Sequence, residues 1–254
     1  MSDDAWDLIE SGCYDEAARQ LERYIDADIG VALGHFGNKA VAELAAGRPL
    51  EAERTLKQGQ AFAERDEYSR GSNLLLGLSN VQWLNGHAEE AVSSLTSRIR
   101  GLKDGSVQFA DLAGGGTDGL MLYYYGVRLG RSSLIEDAHE WLERLRKRKR
   151  AGLKGWPGPL VRWFFGELDD SAVLLEGCGA GSMAVAFSTA RTDILARRQL
   201  IEFCFHRAVR AMRAGKWRRS RELFETAVAL ENPLVDFEWY LARHEADRAR
   251  TSNN

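Results

Sequence analysis

Apolar residues recur at helical spacing through most of the 254-residue chain, most clearly between residues 199 and 242. They return every three or four positions over residues 200–212 and again over residues 223–230, which predicts one buried face on each of two helices. Gly215 separates the two predicted helices, and Pro233 ends the second. A third helical pattern begins at Phe237. The stretch therefore predicts a helical hairpin followed by one further helix.

The same hairpin pattern recurs along the chain. Its turn glycines are Gly12, Gly47, Gly86, Gly130 and Gly215. A small residue follows each glycine at Ala17, Ala52, Ala91, Ala138 and Ser220, and a large apolar residue follows one turn later at Leu21, Leu56, Leu95, Leu142 and Phe224. A helix, a glycine turn and a second helix form the unit of tetratricopeptide (TPR) repeats, which stack because one hairpin cannot bury its apolar stripe alone. We expect an all-α fold, a right-handed TPR-like superhelix of about ten to twelve helices in antiparallel pairs.

Two segments interrupt the repeats. The Gly- and Asp-rich segment 102–119 predicts a long loop, in which residues 114–118 (GGGTD) either hold an anion at the next helix or form a connector with Thr117 or Asp118 as the N-cap. In segment 152–190, Trp156-Pro157-Gly158-Pro159 breaks the helical pattern, and Asp169 is the expected N-cap of an irregular helix pair. We therefore assign TPR-like repeats to residues 1–150. Residues 151–254 are expected to hold the irregular unit, a last repeat and a capping helix, in one continuous solenoid.

The second half of the chain resembles the C-terminal part of bacterial NlpI-like TPR proteins. The resemblance lies in WPGPLVRWFFGELDDSAVLL (156–175) and in the hairpin stretch 200–243. It is carried by Trp156, Pro157, Val161, Phe164, Gly166, Leu168, Phe205, Gly215, Leu223, Phe224, Ala227, Val228, Phe237 and Glu238. The resemblance implies an all-α superhelix that docks other proteins without catalysis. The lipoprotein signal and anchoring cysteine of the lipoprotein itself do not occur here, so an envelope location does not follow.

Composition narrows the class of protein. With 44% hydrophobic and 28% charged residues, the chain has enough apolar area to bury a core. No run of 18 apolar residues predicts a membrane span, and the acidic start Met1–Asp4 resembles neither a signal peptide nor a lipidation site. Cys13, Cys178 and Cys204 are widely separated, which favours buried free thiols in a reducing compartment. We expect a cytoplasmic protein without a membrane partner.

The sequence contains no recognisable catalytic or metal-binding motif. The histidines are His35, His87, His139, His206 and His244. They form no H-E-x-x-H pattern, and neither a G-x-S-x-G motif nor a P-loop occurs. We therefore expect no enzymatic activity, no metal and no cofactor.

Charge is distributed unevenly along the chain. Residues 1–143 carry 13 Lys/Arg and 24 Asp/Glu, a net charge of −11, whereas residues 144–222 carry 18 and 7, a net charge of +11. The basic run comprises Arg144, Arg146, Lys147, Arg148, Lys149, Arg150 and Lys154. It either complements a helix dipole or forms a patch for an acidic protein surface. Without interleaved aromatic residues it does not favour nucleic acid. The opposite charges also favour head-to-tail self-association as a hypothesis.

Two groups of residues are candidates for binding a partner. Arg207, Arg210 and Arg213 recur every three positions on one predicted helix, so they either line an inner wall or pair with neighbouring repeats. The residues of the second group are expected at inward-facing helix positions; they are Asn73, Asn80, Trp83 and Tyr124. There they either bind an extended peptide or serve in packing and capping. The predicted function is a protein-interaction adaptor that holds a protein or peptide on its concave face. The alternative is an immunity protein or antitoxin that blocks a cognate toxin.

Overall fold

The chain is helical throughout its described parts. The structure, a computed structural model, describes residues 3–27, 31–65, 74–108, 111–148, 152–231 and 236–251, and no strand occurs within these ranges. They contain fourteen α-helices and a short 3-10 helix at Gly152–Lys154. The chain divides into two compact units, Met1–Gln108 and Phe109–Asn254, so the division lies inside the predicted loop 102–119.

The first unit consists of helices that each pack on the next one along the chain. They are α1 (Asp3–Glu10), α2 (Tyr14–Asp26), α3 (Leu33–Ala45), α4 (Pro49–Arg65), α5 (Leu74–Leu84) and α6 (Ala88–Asp104). Short turns join α1 to α2, α3 to α4 and α5 to α6, which makes three helical hairpins. The predicted pairing of helices is therefore present in this unit.

The second unit is built around one long helix. Its members are α7 (Gly116–Leu129), α8 (Ser132–Arg148), α9 (Gly158–Phe164), α10 (Asp170–Cys178), α11 (Met183–Ala190), α12 (Ile194–Arg213), α13 (Trp217–Val228) and α14 (Phe237–Thr251). Helix α12 contacts α7, α10, α11, α13 and α14, and its Phe203 and Phe205 have no exposed surface. The apolar pattern that first identified this stretch therefore marks the core of the unit. The segment 158–190 holds three short helices where the sequence predicted a pair.

Six turns between consecutive helices of the described residues place a glycine in the left-handed region. The turn glycines have φ between 66° and 82°; they are Gly12, Gly47, Gly86, Gly130, Gly166 and Gly215. In every case the next residue donates its backbone N–H to the carbonyl five positions back, as His87 does to Gln82 at 2.9 Å. The glycine itself donates to the carbonyl three positions back, which satisfies a second carbonyl at the helix end. Gly166 was not predicted as a turn, and it adds a sixth member to the five found in the sequence.

The small residues after the turns are buried where the paired helices cross. Ala17, Ala52, Ala91 and Ala138 have no exposed surface, and Ser220 is 2% exposed. A larger side chain at these positions would separate the two helices, because protein cores have no spare volume. The sequence pattern thus predicted this part of the packing correctly.

In the glycine-rich segment, backbone N–H groups bind the carboxylate of Asp111, a residue of the same segment. The loop is shorter than predicted, since α6 continues to Asp104 and α7 begins at Gly116. The Asp111 carboxylate accepts hydrogen bonds from the backbone N–H of Gly115 at 2.8 Å and of Thr117 at 2.9 Å. The N-cap is Gly115, in place of the predicted Thr117 or Asp118. The amides that could have held an external anion are therefore occupied.

Segment 170–190 is unusually apolar but is not one helix. Asp169 caps α10 as predicted, accepting a hydrogen bond from the N–H of Ala172 at 2.8 Å. By length and composition alone Asp170–Ala190 could cross a membrane, since an 18-residue stretch of it has a mean hydropathy of 1.3 and is 28% buried. In the structure residues 179–182 divide it into helices of nine and eight residues, each shorter than the roughly 20 residues needed to cross a bilayer.

A buried carboxylate connects α4 to the turn between α5 and α6. Glu53 is 4% exposed, and its oxygens lie 2.6 Å from Lys57 Nζ, 2.7 Å from Asn85 Nδ2 and 2.9 Å from His87 Nδ1. Burial on its own raises the pKa of Glu53, but the hydrogen bonds from these three residues together lower it below its ordinary value. The charged carboxylate therefore stabilises the packing of the second hairpin on the third.

Replacing Gly86 with alanine should destabilise the protein by about 1 kcal/mol, because alanine is strained at positive φ. No atom lies within 4 Å of the added Cβ at Gly86, so the effect comes from the backbone alone. Gly34→Ala is the control, since Gly34 lies in α3 with equally open surroundings and without a positive φ. Alanine there should stabilise the helix by up to about 1 kcal/mol. Urea unfolding measures both variants, and equal effects at the two sites would contradict this account of the turn.

The Glu53→Gln variant should lose about 1–3 kcal/mol of stability at neutral pH, because the hydrogen bonds from Lys57, Asn85 and His87 would lose their charged acceptor. Since the pKa of Glu53 is lowered on folding, its contribution is present above the unfolded pKa of about 4.3 and is lost as pH falls through the folded pKa. Urea unfolding at several pH values should therefore show wild type and variant converging in acid. Glu140→Gln, an exposed position in the middle of α8, is the matched control and should leave stability nearly unchanged. A loss from Glu53→Gln that did not vary with pH would exclude the ionic explanation.

Candidate partner-binding site

Three of the residues predicted to face a partner are buried in the cores of their units. Asn80 is 1% exposed and Trp83 6% exposed, both on α5 of the first unit. Tyr124 on α7 has no exposed surface, and its hydroxyl donates to Glu245 Oε1 at 2.7 Å. These side chains expose almost no surface to a partner. Of the two roles considered from the sequence, peptide binding and core packing, their burial agrees with core packing. Asn73 lies outside the described residues.

Tyr123, the residue before Tyr124, belongs to a partly exposed cluster of rings on the second unit. The Tyr123 ring meets Phe164 edge to face, with ring centroids 4.9 Å apart. His139 lies 4.8 Å from Phe164 and 5.6 Å from Phe165, measured between centroids. His139 is exposed and the other three rings are half-buried. Helices α7, α8 and α9 thus bring four rings together at the surface of the unit.

Two of the predicted arginines lie beside this ring cluster. Burial raises the pKa of Tyr123, and the nearby positive charges of Arg213 and Arg210 oppose part of that rise. The Arg210 guanidinium lies 4.9 Å from the ring centroid of Trp163, within the range of a cation–π contact. Arg210 and Arg213 are exposed, and neither forms an ion pair with a carboxylate of the described residues. We call Tyr123, His139, Phe164, Phe165, Arg210 and Arg213 the aromatic–arginine surface.

Arg207 has a different role from its two neighbours on α12. Its guanidinium lies 2.6 Å from Asp170 Oδ2 and 5.4 Å from the ring centroid of Phe203. Asp170 also accepts a hydrogen bond from Trp163 Nε1 at 2.9 Å. Arg207 therefore joins α12 to the start of α10, and Asp170 holds α9 in the same arrangement. This fixes the position of α9, which carries Phe164.

Two members of the basic run, Arg146 and Lys147, are paired with carboxylates on their own unit. Arg146 lies 2.5 Å from Glu143 and 2.8 Å from Glu167, while Lys147 lies 3.2 Å from Glu143. The hydrogen bond from Arg146, with a further one from Lys147, lowers the pKa of Glu143 to about 2. Arg146, Lys147 and Lys154 line one cavity of about 600 Å³. These two cations therefore contribute less to an electropositive patch than the sequence suggests.

The remaining members of the run differ in their surroundings. Arg144 is half-buried and Lys154 is exposed, and neither forms an ion pair within the described part of the chain. Arg148 is the last residue of α8, and its side chain lies outside the description, as do Lys149 and Arg150.

The histidines occupy separate environments. His206 is 4% exposed, and burial lowers its pKa to about 3, so it is neutral at physiological pH. His87 contacts Glu53, and His139 belongs to the aromatic–arginine surface. Within the described residues, no group of three or more His, Cys, Asp or Glu side chains is arranged to hold a metal ion.

Comparison of the chain with protein-family models, with curated proteins and with solved structures finds no match.

The three thiols differ sharply in accessibility. Cys178 and Cys204 are buried as predicted, and burial raises the pKa of each to about 12. Cys178 Sγ also lies 3.5 Å from the carbonyl oxygen of Ala196. Cys13, contrary to expectation, is exposed in the turn between α1 and α2.

Because Cys13 is exposed and the other two cysteines are buried, only Cys13 should react with a thiol reagent under native conditions. Because the thiolate is the nucleophile, the buried thiols should remain unmodified at neutral pH until the protein unfolds. Counting modified cysteines by mass spectrometry, with and without urea, measures this, and Cys13→Ser should abolish the native reaction. Rapid modification of Cys178 or Cys204 in the folded protein would contradict the placement of α10 and α12.

Proposed function

We propose that this protein is a non-enzymatic scaffold that binds a partner protein or peptide through the aromatic–arginine surface of its second unit. One observation carries the proposal. Four rings, three half-buried and one exposed, lie together beside two arginines that have no carboxylate partner among the described residues.

Such a surface has the composition of a protein-binding site. Aromatic and arginine side chains dominate the residues that contribute most to interface energy. Tyr123 and Phe164 are already held by edge-to-face packing, so little side-chain entropy is lost on binding. Arg210 and Arg213 can each form two parallel hydrogen bonds to a carboxylate. We infer a partner that presents acidic side chains next to apolar ones.

The repeats support the same proposal. Six turns with the same glycine conformation join helix pairs across the chain, as in TPR proteins, and we propose that the pairs are TPR-like. Proteins of this architecture act mainly by presenting surfaces to partners. The resemblance of residues 156–243 to NlpI-like proteins favours the same adaptor role.

The double variant Arg210→Glu/Arg213→Glu should weaken partner binding at least tenfold, equivalent to about 1.4 kcal/mol, because it places like charges opposite an acidic partner. The matched control is Arg19→Glu/Arg23→Glu, which makes the same charge change on exposed positions of α2. The measurement uses the tagged protein to recover partners from its native organism, followed by calorimetry with each recovered partner.

Comparison of the two double variants distinguishes a contact at the aromatic–arginine surface from an effect of the protein's net charge. Equal losses from both double variants would indicate a non-specific charge effect and contradict the proposed site. One stoichiometric partner that is a toxin would identify an inhibitor, whereas several partners would identify an adaptor.

A further inference from the structure

Acidic side chains lie where the last helix of the second unit begins. Asp236 is 3% exposed and Glu238 is 5% exposed. Asp236 directly precedes α14, and its Oδ1 accepts a hydrogen bond from the backbone N–H of Glu238 at 3.0 Å. On α12, the half-buried Glu202 accepts a hydrogen bond from Trp156 Nε1 at 2.9 Å. We call Glu202, Asp236 and Glu238 the acid cluster.

The three carboxyl groups lie on the same side of the contact between α12 and α14. Glu202 and His206 are one turn apart on α12, so they share a face of that helix. The Nε2 atom of His206 lies 3.8 Å from Glu238 Oε1, which is too long for a hydrogen bond. Helix α14 packs on α12 and on α13. The acid cluster therefore forms part of the interface that holds the start of α14.

Two oxygens of the cluster lack a hydrogen-bond donor. Asp236 Oδ2 and Glu238 Oε1 are buried and accept no hydrogen bond from the described residues. A buried carboxylate without donors is unfavourable, whereas the neutral carboxyl group is tolerated. Burial accordingly raises the pKa of Asp236 well above its ordinary value, with a further rise from Glu238, and it also raises the pKa of Glu238. Burial and the other two carboxyl groups raise the pKa of Glu202.

The side chains around the cluster supply little positive charge. Burial lowers the pKa of His206 to about 3, so it is neutral beside Glu238. Arg198, half-buried on α12, forms no ion pair within the described parts of the chain. Its charge opposes only part of the rise in pKa of the three acids. Cys178 of α10 faces Glu202, but its pKa is raised to about 12 and the thiol is uncharged.

Other charged groups meet α14 further along the helix. Arg128 of α7 pairs with Glu245 at 2.8 Å, in the third turn of α14. Glu225 of α13 lies 3.9 Å from Arg250, near the end of α14. These pairs are two or more turns away from Asp236 and Glu238, so they do not offset the negative charge of an ionised cluster.

The raised pKa values make the packing of α14 weaker as pH increases. The folded protein retains protons that the unfolded chain releases above pH of about 4, so stability falls as pH rises from there towards the folded pKa values. His206 has the opposite effect, but only between its folded pKa of about 3 and its ordinary value of 6.5. The buried thiols add a loss of stability only above about pH 8.5. Between these limits the acid cluster is the dominant titrating group of this interface.

We propose that pH controls the docking of α14 on α12. The neutral carboxyl groups of the acid cluster allow the start of α14 to lie against α12, and loss of their protons to solvent above neutral pH releases it. The carboxylates then repel one another in a mostly buried region, where like charges are most unfavourable.

Release of α14 changes the surface of the second unit. Leu241 and Ala242 have no exposed surface while α14 is docked, and Glu245 accepts the hydroxyl proton of Tyr124. Undocking would expose both apolar side chains and remove this acceptor. The device does not depend on partner binding at the aromatic–arginine surface.

Hydrogen exchange measured by mass spectrometry on the full chain tests the proposal. Each proton released on opening makes opening up to about tenfold more favourable per pH unit. Between about pH 6.5 and about pH 8, the protection factors of α14 should therefore fall at least tenfold, after correction for intrinsic exchange. Those of α4, in the other unit, should fall much less. Constant protection of α14, or an equal fall in α4, would overturn the proposal.

Asp236→Asn and Glu238→Gln each replace a titrating group with a neutral one of the same shape, and asparagine keeps the capping oxygen. Each should raise the protection of α14 at about pH 8 and reduce its dependence on pH. Glu202→Gln, at a half-buried position, gives the same test if circular dichroism shows either variant to be unfolded. The matched control is Asp247→Asn, an exposed position on α14 that should keep the wild-type dependence. Unchanged pH dependence in the cluster variants, or the same reduction in Asp247→Asn, would contradict the proposal.

Discussion

The left-handed glycine at the end of each first helix is the constraint on which the helix pairs depend. A helix ends with carbonyl groups that have no partner within it, and at these turns two of them accept hydrogen bonds from the glycine and the residue after it. That geometry reverses the chain within two residues. The second helix therefore starts beside the first, with its small residue directed at the crossing, as the buried Ala17, Ala52 and Ala91 show.

The regularity of this turn explains why the helix pairs could be predicted from the sequence. Glycine is needed for a backbone reason, and a small residue five positions later is needed for a packing reason, so the two together form a recognisable signal. Gly166 escaped prediction although Ser171 follows it by five positions, because the helical patterns on either side of it are short and irregular. The helix before it has only seven residues, and Asp169 caps the following helix in place of the usual arrangement. The turn at Gly166 has the same hydrogen bonds as the others, but the helices on either side of it are irregular.

The candidate site was harder to predict because helical periodicity alone does not fix which face of a helix is covered. Three consecutive tyrosines at positions 123–125 span about 200° of helix surface, so they cannot all be buried or all be exposed in the same way. The choice is made by Glu245, which lies 121 positions further along the chain and accepts the Tyr124 hydroxyl. Such a long-range contact leaves no local trace in the sequence. Tyr123 instead faces Phe164, on a helix that the irregular segment supplies.

The charged residues show the same limit of sequence reasoning. Whether a basic side chain can bind a partner depends more on its existing ion pairs than on how many basic residues lie near it in the sequence. The densest basic run includes Arg146, which neighbouring carboxylates hold at 2.5 Å and 2.8 Å. Arg210 and Arg213 belong to a sparser pattern, yet no described carboxylate pairs with them, and they lie beside rings of which three are half-buried and one is exposed. A guanidinium already paired must exchange one carboxylate for another when it binds a partner, so it gains little. A guanidinium without a carboxylate partner breaks no ion pair when it binds, which is why the sparser pattern identifies the stronger candidate for binding.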